Sequence, residues 1–154
     1  MKLSNLLRPG LIKPGLEARN KRQAIGELVD LLVHQREIPL SQRDHMLEAV
    51  LENEASLGTG MENGIALPHG FTDRVQDVLC ALGTAPNGIP FDSRDDQPAN
   101  LVVLFLLPAR NHAGEAKIVA NINHLLEHHN LAERLEGLAS PDEIHKIIQD
   151  EEKY

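Results

Sequence analysis

The run Leu101-Val102-Val103-Leu104-Phe105-Leu106-Leu107 limits what this chain can fold into more than any other stretch. A strand wet on one face alternates apolar and polar residues; this run is apolar on both faces. That pattern requires a central strand covered by helices on both sides. Pro108 ends it, because proline fixes its own φ and removes a backbone donor.

Helical patterns surround this strand. Asn20 is placed to cap a helix running to about Gln35, with Ala24, Ile25, Leu28, Leu31 and Leu32 on one face. Ser41 followed by Asp44 reads as a capping box in its aspartate variant, opening a helix that carries Met46, Leu47, Val50 and Leu51. Beyond the strand, helical patterns run over about 114–129, 131–138 and 141–150. Ser140 is the expected cap of the last, with Pro141 at its first position and Glu143 closing a capping box. Shorter strands are expected over 11–16, interrupted by Pro14, over 65–67 and over 78–84, with Asn87-Gly88 as a turn after the last. Strands alternating with helices define an α/β class: a mixed, mostly parallel sheet with helices on both faces. No repeat or linker divides residues 1–154, so a single domain is expected.

Composition excludes several functions. With one Tyr and no Trp, the core must be aliphatic. A formal net charge of -8 repels a phosphate backbone, so no nucleic-acid partner is expected. No apolar run reaches the roughly 20 residues of a membrane helix. The first ten residues lack an apolar signal core. Cys80 is the single cysteine and lies in an apolar run, which reads as a small core residue in a reducing, cytoplasmic compartment.

Against this background, Gly64-Ile65-Ala66-Leu67-Pro68-His69-Gly70 stands out. His69 follows a short strand, where open α/β sheets keep their ligand sites. Pro68 biases Leu67 towards extended backbone, and Gly64 and Gly70 permit close approach of another group. A neutral imidazole there is a competent nucleophile near neutral pH. The plainer reading is a histidine hydrogen-bonded at a strand end.

Other polar groupings are weighed in the same way. His124-Leu125-Leu126-Glu127-His128 has the H-x-x-E-H spacing of inverted zinc proteases, with two histidines on one helix face. It lacks an identified third ligand, and the adjoining His129 points to a solvated helix end, so no metal site is expected. Asp92, Asp95 and Asp96 around Arg94 read as turn residues before a cation site. Lys13, Arg19, Lys21 and Arg22 read as solvated surface.

Two blocks carry a family resemblance. Thr59-Gly60-Met61-Glu62-Asn63-Gly64-Ile65-Ala66-Leu67-Pro68-His69-Gly70 resembles the signature of the enzyme IIA domain, fructose/mannitol type, of the bacterial phosphoenolpyruvate-dependent sugar phosphotransferase system. Gly88-Ile89-Pro90-Phe91-Asp92-Ser93-Arg94-Asp95-Asp96-Gln97-Pro98, with the strand to Leu107 and Pro108-Ala109, resembles the same family independently and looks closest to its nitrogen-regulatory branch. The resemblance implies a cytoplasmic phosphoryl carrier without cofactor. The histidine matching His69 takes a phosphoryl group from the phosphohistidine of HPr and passes it on. The implied partners are an HPr-like phosphocarrier and a regulated transporter, kinase or other target protein. Asn63, Gly64, Pro68 and Gly70 are the supporting residues.

The chain departs from the family at two places. An Arg-Glu pair usually precedes the glycine loop; here it reads Asn53-Glu54. A second family histidine opens the helix after Pro-Ala; ungapped counting puts Glu115 there, with His112 three residues earlier and Lys117 two residues later. An arginine and an imidazole stabilise a transferring group of about -2 charge, whereas an ionised carboxylate repels it. Arg74, Arg94 and Arg110 are the cations that the fold would have to bring near His69 to compensate. The alternative function is a non-catalytic regulatory binding module on the same fold, with transfer impaired by Asn53 and Glu115.

Overall fold

A computed structural model describes residues 1–153. The apolar run lies within the strand β5, Ala99–Pro108, and every residue from Leu101 to Pro108 is buried. β4, Leu79–Ile89, pairs with it antiparallel, setting Cys80 opposite Phe105 and Leu82 opposite Val103. β1, Ile12–Lys13, adds parallel to the far side of β4. On the other side of β5 lie two short parallel strands end to end: β2, Ile65–Ala66, against Leu101 and Val102, and β3, His69–Thr72, against Phe105 to Pro108. The sheet is therefore mixed, with parallel pairing everywhere except in the β4–β5 hairpin.

Six helices accompany the sheet among the described residues: α1 (Leu3–Leu6), α2 (Lys21–His34), α3 (Arg43–Leu57), α4 (His112–His128), α5 (Leu131–Leu135) and α6 (Pro141–Glu151). Successive residues of a strand face opposite sides of the sheet, and β3 shows which helix covers which side. A Cβ on Gly70 would lie 2.8 Å from backbone atoms of Ala49 and Val50, so α3 covers that face. Phe71 points the other way and stacks on His112, the first residue of α4. Helices cover both faces.

The caps at Asn20 and Ser140 form as expected: the Asn20 side chain accepts from the Gln23 N–H at 2.9 Å, and the Ser140 hydroxyl from the Glu143 N–H at 3.3 Å. Other expectations need correction. Ser41 lies within a single 3-10 turn, Leu40–Gln42, that precedes α3; the helix starts at Arg43, its N-cap Gln42 makes no side-chain cap bond, and Asp44 pairs with Arg43 instead. Asn87-Gly88 is not a turn beyond the strand. It lies in an irregular part of β4, where the register against β5 shifts between Thr84 and Ile89. The first strand is only Ile12–Lys13, because Pro9–Leu11 forms a 3-10 turn before it. No described helix is long and apolar enough to cross a membrane.

Candidate functional site

His69 opens β3 at the break between the two end-to-end strands. It is the first residue of a strand that the sequence pattern did not reveal, not a loop residue beyond one. The break itself is short: the Pro68 carbonyl accepts from Phe105 N–H at 3.0 Å, so the ladder to β5 continues across it. The His69 Nδ1 lies 2.8 Å from the Leu67 carbonyl oxygen. A carbonyl only accepts, so Nδ1 carries the proton and donates it. In the neutral ring the lone pair is then on Nε2. The ring is half-buried, and its edge meets the Phe71 ring with centroids 6.0 Å apart. Phe71 in turn stacks on the His112 imidazole at 4.0 Å and 23° between planes. The structure thus aligns His69, Phe71 and His112 along one side of β3. Phe71 was not expected from the sequence, although an aromatic two residues after His69 is what same-face spacing on a strand looks like.

The two motif blocks, separate in sequence, form one cradle around the glycine loop. Gly60 bridges to Ala66, and Leu67 N–H donates to the Thr59 carbonyl at 3.0 Å, folding 59–67 back on itself. A Cβ on Gly60 would fall 2.5 Å from the Phe91 carbonyl oxygen and 2.8 Å from the Ser93 hydroxyl. No larger residue fits between the blocks. Asp95 accepts from the Asn63 N–H through one carboxylate oxygen and from the Gln97 N–H through the other, both at 3.1 Å. The Gly64 carbonyl accepts from the N–H groups of Asn100 and Leu101. Asn63 and Gly64 both have positive φ, 60° and 77°, which asparagine and glycine tolerate best. Glu54, buried at the end of α3, accepts from both the backbone N–H and the hydroxyl of Thr59 and anchors the start of the loop. Asp95 is therefore a turn and latch residue, and Asp92 pairs with Lys21 at 3.0 Å.

Asn53 and Glu115 each contain a buried polar atom without a hydrogen-bond partner: Nδ2 of Asn53 and Oε2 of Glu115. The position of Asn53 follows from packing register. Along α3, His45 bonds the Thr72 hydroxyl at 2.9 Å and Ala49 lies against Gly70. Four helical residues advance about 6 Å and two strand residues about 6.6 Å. Continued by four more residues, that register brings Asn53 towards the level of Pro68. Glu115 lies three residues after His112, on the face of α4 that covers Phe71. Lys117 is exposed. Arg74 is held by the Gln42 side chain at 2.6 Å, and Arg110 by the Gln76 carbonyl at 2.9 Å. Arg94 is exposed on the 91–98 loop. Among the described residues none of the three arginines bonds to His69.

Among the described residues no group of three His, Cys, Asp or Glu is gathered to hold a metal. His124 and His128 are exposed, their centroids 6.0 Å apart, and Glu127 accepts from the Asn123 amide at 3.4 Å. His129 pairs with Glu151 at 2.7 Å.

His69 therefore presents an imidazole ring, fixed by its own backbone, at an edge of a helix-covered mixed sheet. Residues 5–151 match the family described as phosphoenolpyruvate-dependent sugar phosphotransferase system, EIIA 2, and the chain belongs to that family. A fructose-specific EIIA component of the phosphotransferase system from Haloferax volcanii is 33% identical over 128 residues, covering 83% of this chain and 82% of its own. A nitrogen regulatory protein of Bradyrhizobium diazoefficiens is 28% identical over 148 residues, covering 96% and 95%. The crystal structure of the nitrogen regulatory protein IIA-Ntr from Neisseria meningitidis superposes with a TM-score of 0.82 at 20% identity, over 95% of this chain and 98% of that one, and shares its fold.

Proposed function

We propose that this chain is a cytoplasmic phosphoryl carrier that accepts on Nε2 of His69 from the phosphohistidine of an HPr-like phosphocarrier. The observation that carries the reading is the 2.8 Å bond from Nδ1–H to the Leu67 carbonyl, which leaves Nε2 as the unprotonated nitrogen. In the transfer, the P–N bond to the donor imidazole breaks as the P–Nε2 bond forms. Each ring keeps the proton on its other nitrogen, so no proton is exchanged. Exchange between two imidazoles is close to isoenergetic, and the protein's task is in-line positioning and charge stabilisation. The nitrogen-regulatory relatives support a regulatory output, through a target protein, over direct sugar uptake.

The test is intact-protein mass after incubation with phosphoenolpyruvate, enzyme I and HPr. Wild type is expected to gain one acid-labile phosphoryl group, on Nε2 by NMR, and His69→Ala none. A second reading, a binding module that has given up transfer, is favoured by the missing cations at Asn53 and Glu115. An unmodified wild type beside a relay active on another acceptor would establish it.

A further inference from the structure

The His124-Leu125-Leu126-Glu127-His128 stretch of α4 takes no part in the site around His69. From His112 to His124 the helix advances about 18 Å, so His124 and His128 sit at the opposite end of α4 from the ring stack with Phe71. Four residues apart, they share one helix face on successive turns. Both are exposed, and their rings lie nearly parallel, 18° between planes, with centroids 6.0 Å apart. Their neighbours are engaged: His129 pairs with Glu151 at 2.7 Å, and Glu127 accepts from the Asn123 amide at 3.4 Å. Among the described residues, the ring nitrogens of His124 and His128 make no hydrogen bond or ion pair.

We infer that His124 and His128 form a two-point surface chelate for a transition-metal dication, tightest for copper(II). Imidazole suits copper, nickel and zinc, and the affinity of such ligands peaks at copper. An ion about 2.0–2.1 Å from one nitrogen of each ring, at a right-angled or tetrahedral N–metal–N angle, sets the two ring centroids about 4.5–5.2 Å apart. The rings stand about 1 Å further apart than that, and rotation of two exposed side chains closes the difference. The pair lies in the last two turns of α4, where the helix dipole favours a cation, on a chain of formal net charge -8. Water fills the remaining positions on the ion. The third ligand of a hydrolytic zinc centre is missing, since among the described residues no three metal-binding side chains are gathered, and Glu127 is turned to Asn123. The chelate therefore holds an ion without hydrolytic chemistry. It clips two turns of the folded helix that the unfolded chain does not hold together, so a bound ion stabilises the fold.

The inference is independent of the carrier reading, because its test uses the unphosphorylated chain, free of any affinity tag. Cu²⁺ is titrated into the protein against a competing chelating dye. Wild type is expected to take up one ion per chain, and His124→Ala and His128→Ala to bind it roughly a hundredfold more weakly, the scale of losing one of two linked contacts. Zn²⁺ should bind the same pair less tightly than Cu²⁺. Circular dichroism checks that each variant is folded. His129→Ala and Glu127→Ala should keep the wild-type affinity. By NMR, substoichiometric Cu²⁺ should broaden the ring signals of His124 and His128 before those of the other histidines, and Ni²⁺ should raise the melting temperature of wild type but not of His124→Ala. Equal Cu²⁺ affinity in wild type and His124→Ala, or broadening centred on other histidines, would overturn the chelate. So would a comparable loss in His129→Ala or Glu127→Ala, which would place the ion elsewhere on α4.

Discussion

Cys80 lies in β4 directly opposite Phe105, fully enclosed by the hairpin. Burial pushes its thiol well above the ordinary range, because the thiolate would have to form without water. Two consequences follow. The native protein should resist thiol reagents, and the labelling rate should track global unfolding in urea; rapid labelling of folded protein would contradict the packing. The folded thiol pKa is raised, so the unfolded chain loses its proton first. The contribution of Cys80 to stability is full below about pH 8.5 and declines as pH rises towards the folded value. Urea midpoints at pH 7 and pH 10 should show a larger drop for wild type than for Cys80→Ala. At the same scale, the direction of one hydrogen bond fixes which nitrogen of His69 carries the proton. That bond runs to a backbone carbonyl only two residues away, so the choice survives any change in the distant side chains.

Among the elements, α3 and β3 pack closely, because Gly70 lets the helix backbone come down onto the strand. A methyl group there meets Ala49 and Val50 backbone at 2.8 Å, and backbone cannot swing aside as a side chain can. Gly70→Ala should therefore cost at least the ~1–3 kcal/mol typical of overpacking, measured by urea denaturation. Displacing α3 also moves Asn53 and the Glu54 anchor of the glycine loop. The same variant should lower the rate of His69 phosphorylation by more than its stability loss explains. An unchanged urea midpoint would mean that α3 does not rest on Gly70. This element-level packing also explains why β3 escaped the sequence reading. The strand exists because β5 supplies a ladder and α3 a cover, neither of which is a local pattern.

At the scale of the whole molecule, the site is a convergence of distant segments. The 91–101 segment grips the 59–67 loop through Asp95, Phe91, Ser93 and the Asn100 and Leu101 N–H groups. Far from it, α6 secures the beginning of the chain. Glu152 accepts from the N–H groups of Leu3 and Ser4 at one end of α1, and His145 Nε2–H donates to the carbonyls of Ser4 and Leu7 at the other. Asp95 is exposed, so its removal should affect stability little, within about 1 kcal/mol. It should slow transfer more, since small misplacements of a reacting group are costly. Asp95→Ala is expected to slow single-turnover phosphorylation of His69 roughly tenfold with a nearly unchanged melting temperature. Asp95→Asn, which keeps one acceptor oxygen, should recover part of the rate. Equal rates for Asp95→Ala and wild type would remove the latch.

The sequence by itself determined what depends on local chemistry and period. Seven apolar residues in a row demanded a covered central strand, Asn20 and Ser140 capped their helices, and the glycine-rich loop with His69 carried the family's motif. Each of these is settled within a few residues of chain. Ser41 failed as a cap because a 3-10 turn, governed by how the chain enters α3, took its place. Only the tertiary structure decided the rest. It made Phe71 the link between His69 and His112, turned Asp95 into a latch, tied up Arg74 and Arg110, and left Asn53 and Glu115 with buried atoms unanswered. Those outcomes join residues tens of positions apart. Their physical cause is the register of α3 and α4 against a short edge strand, which no local pattern encodes.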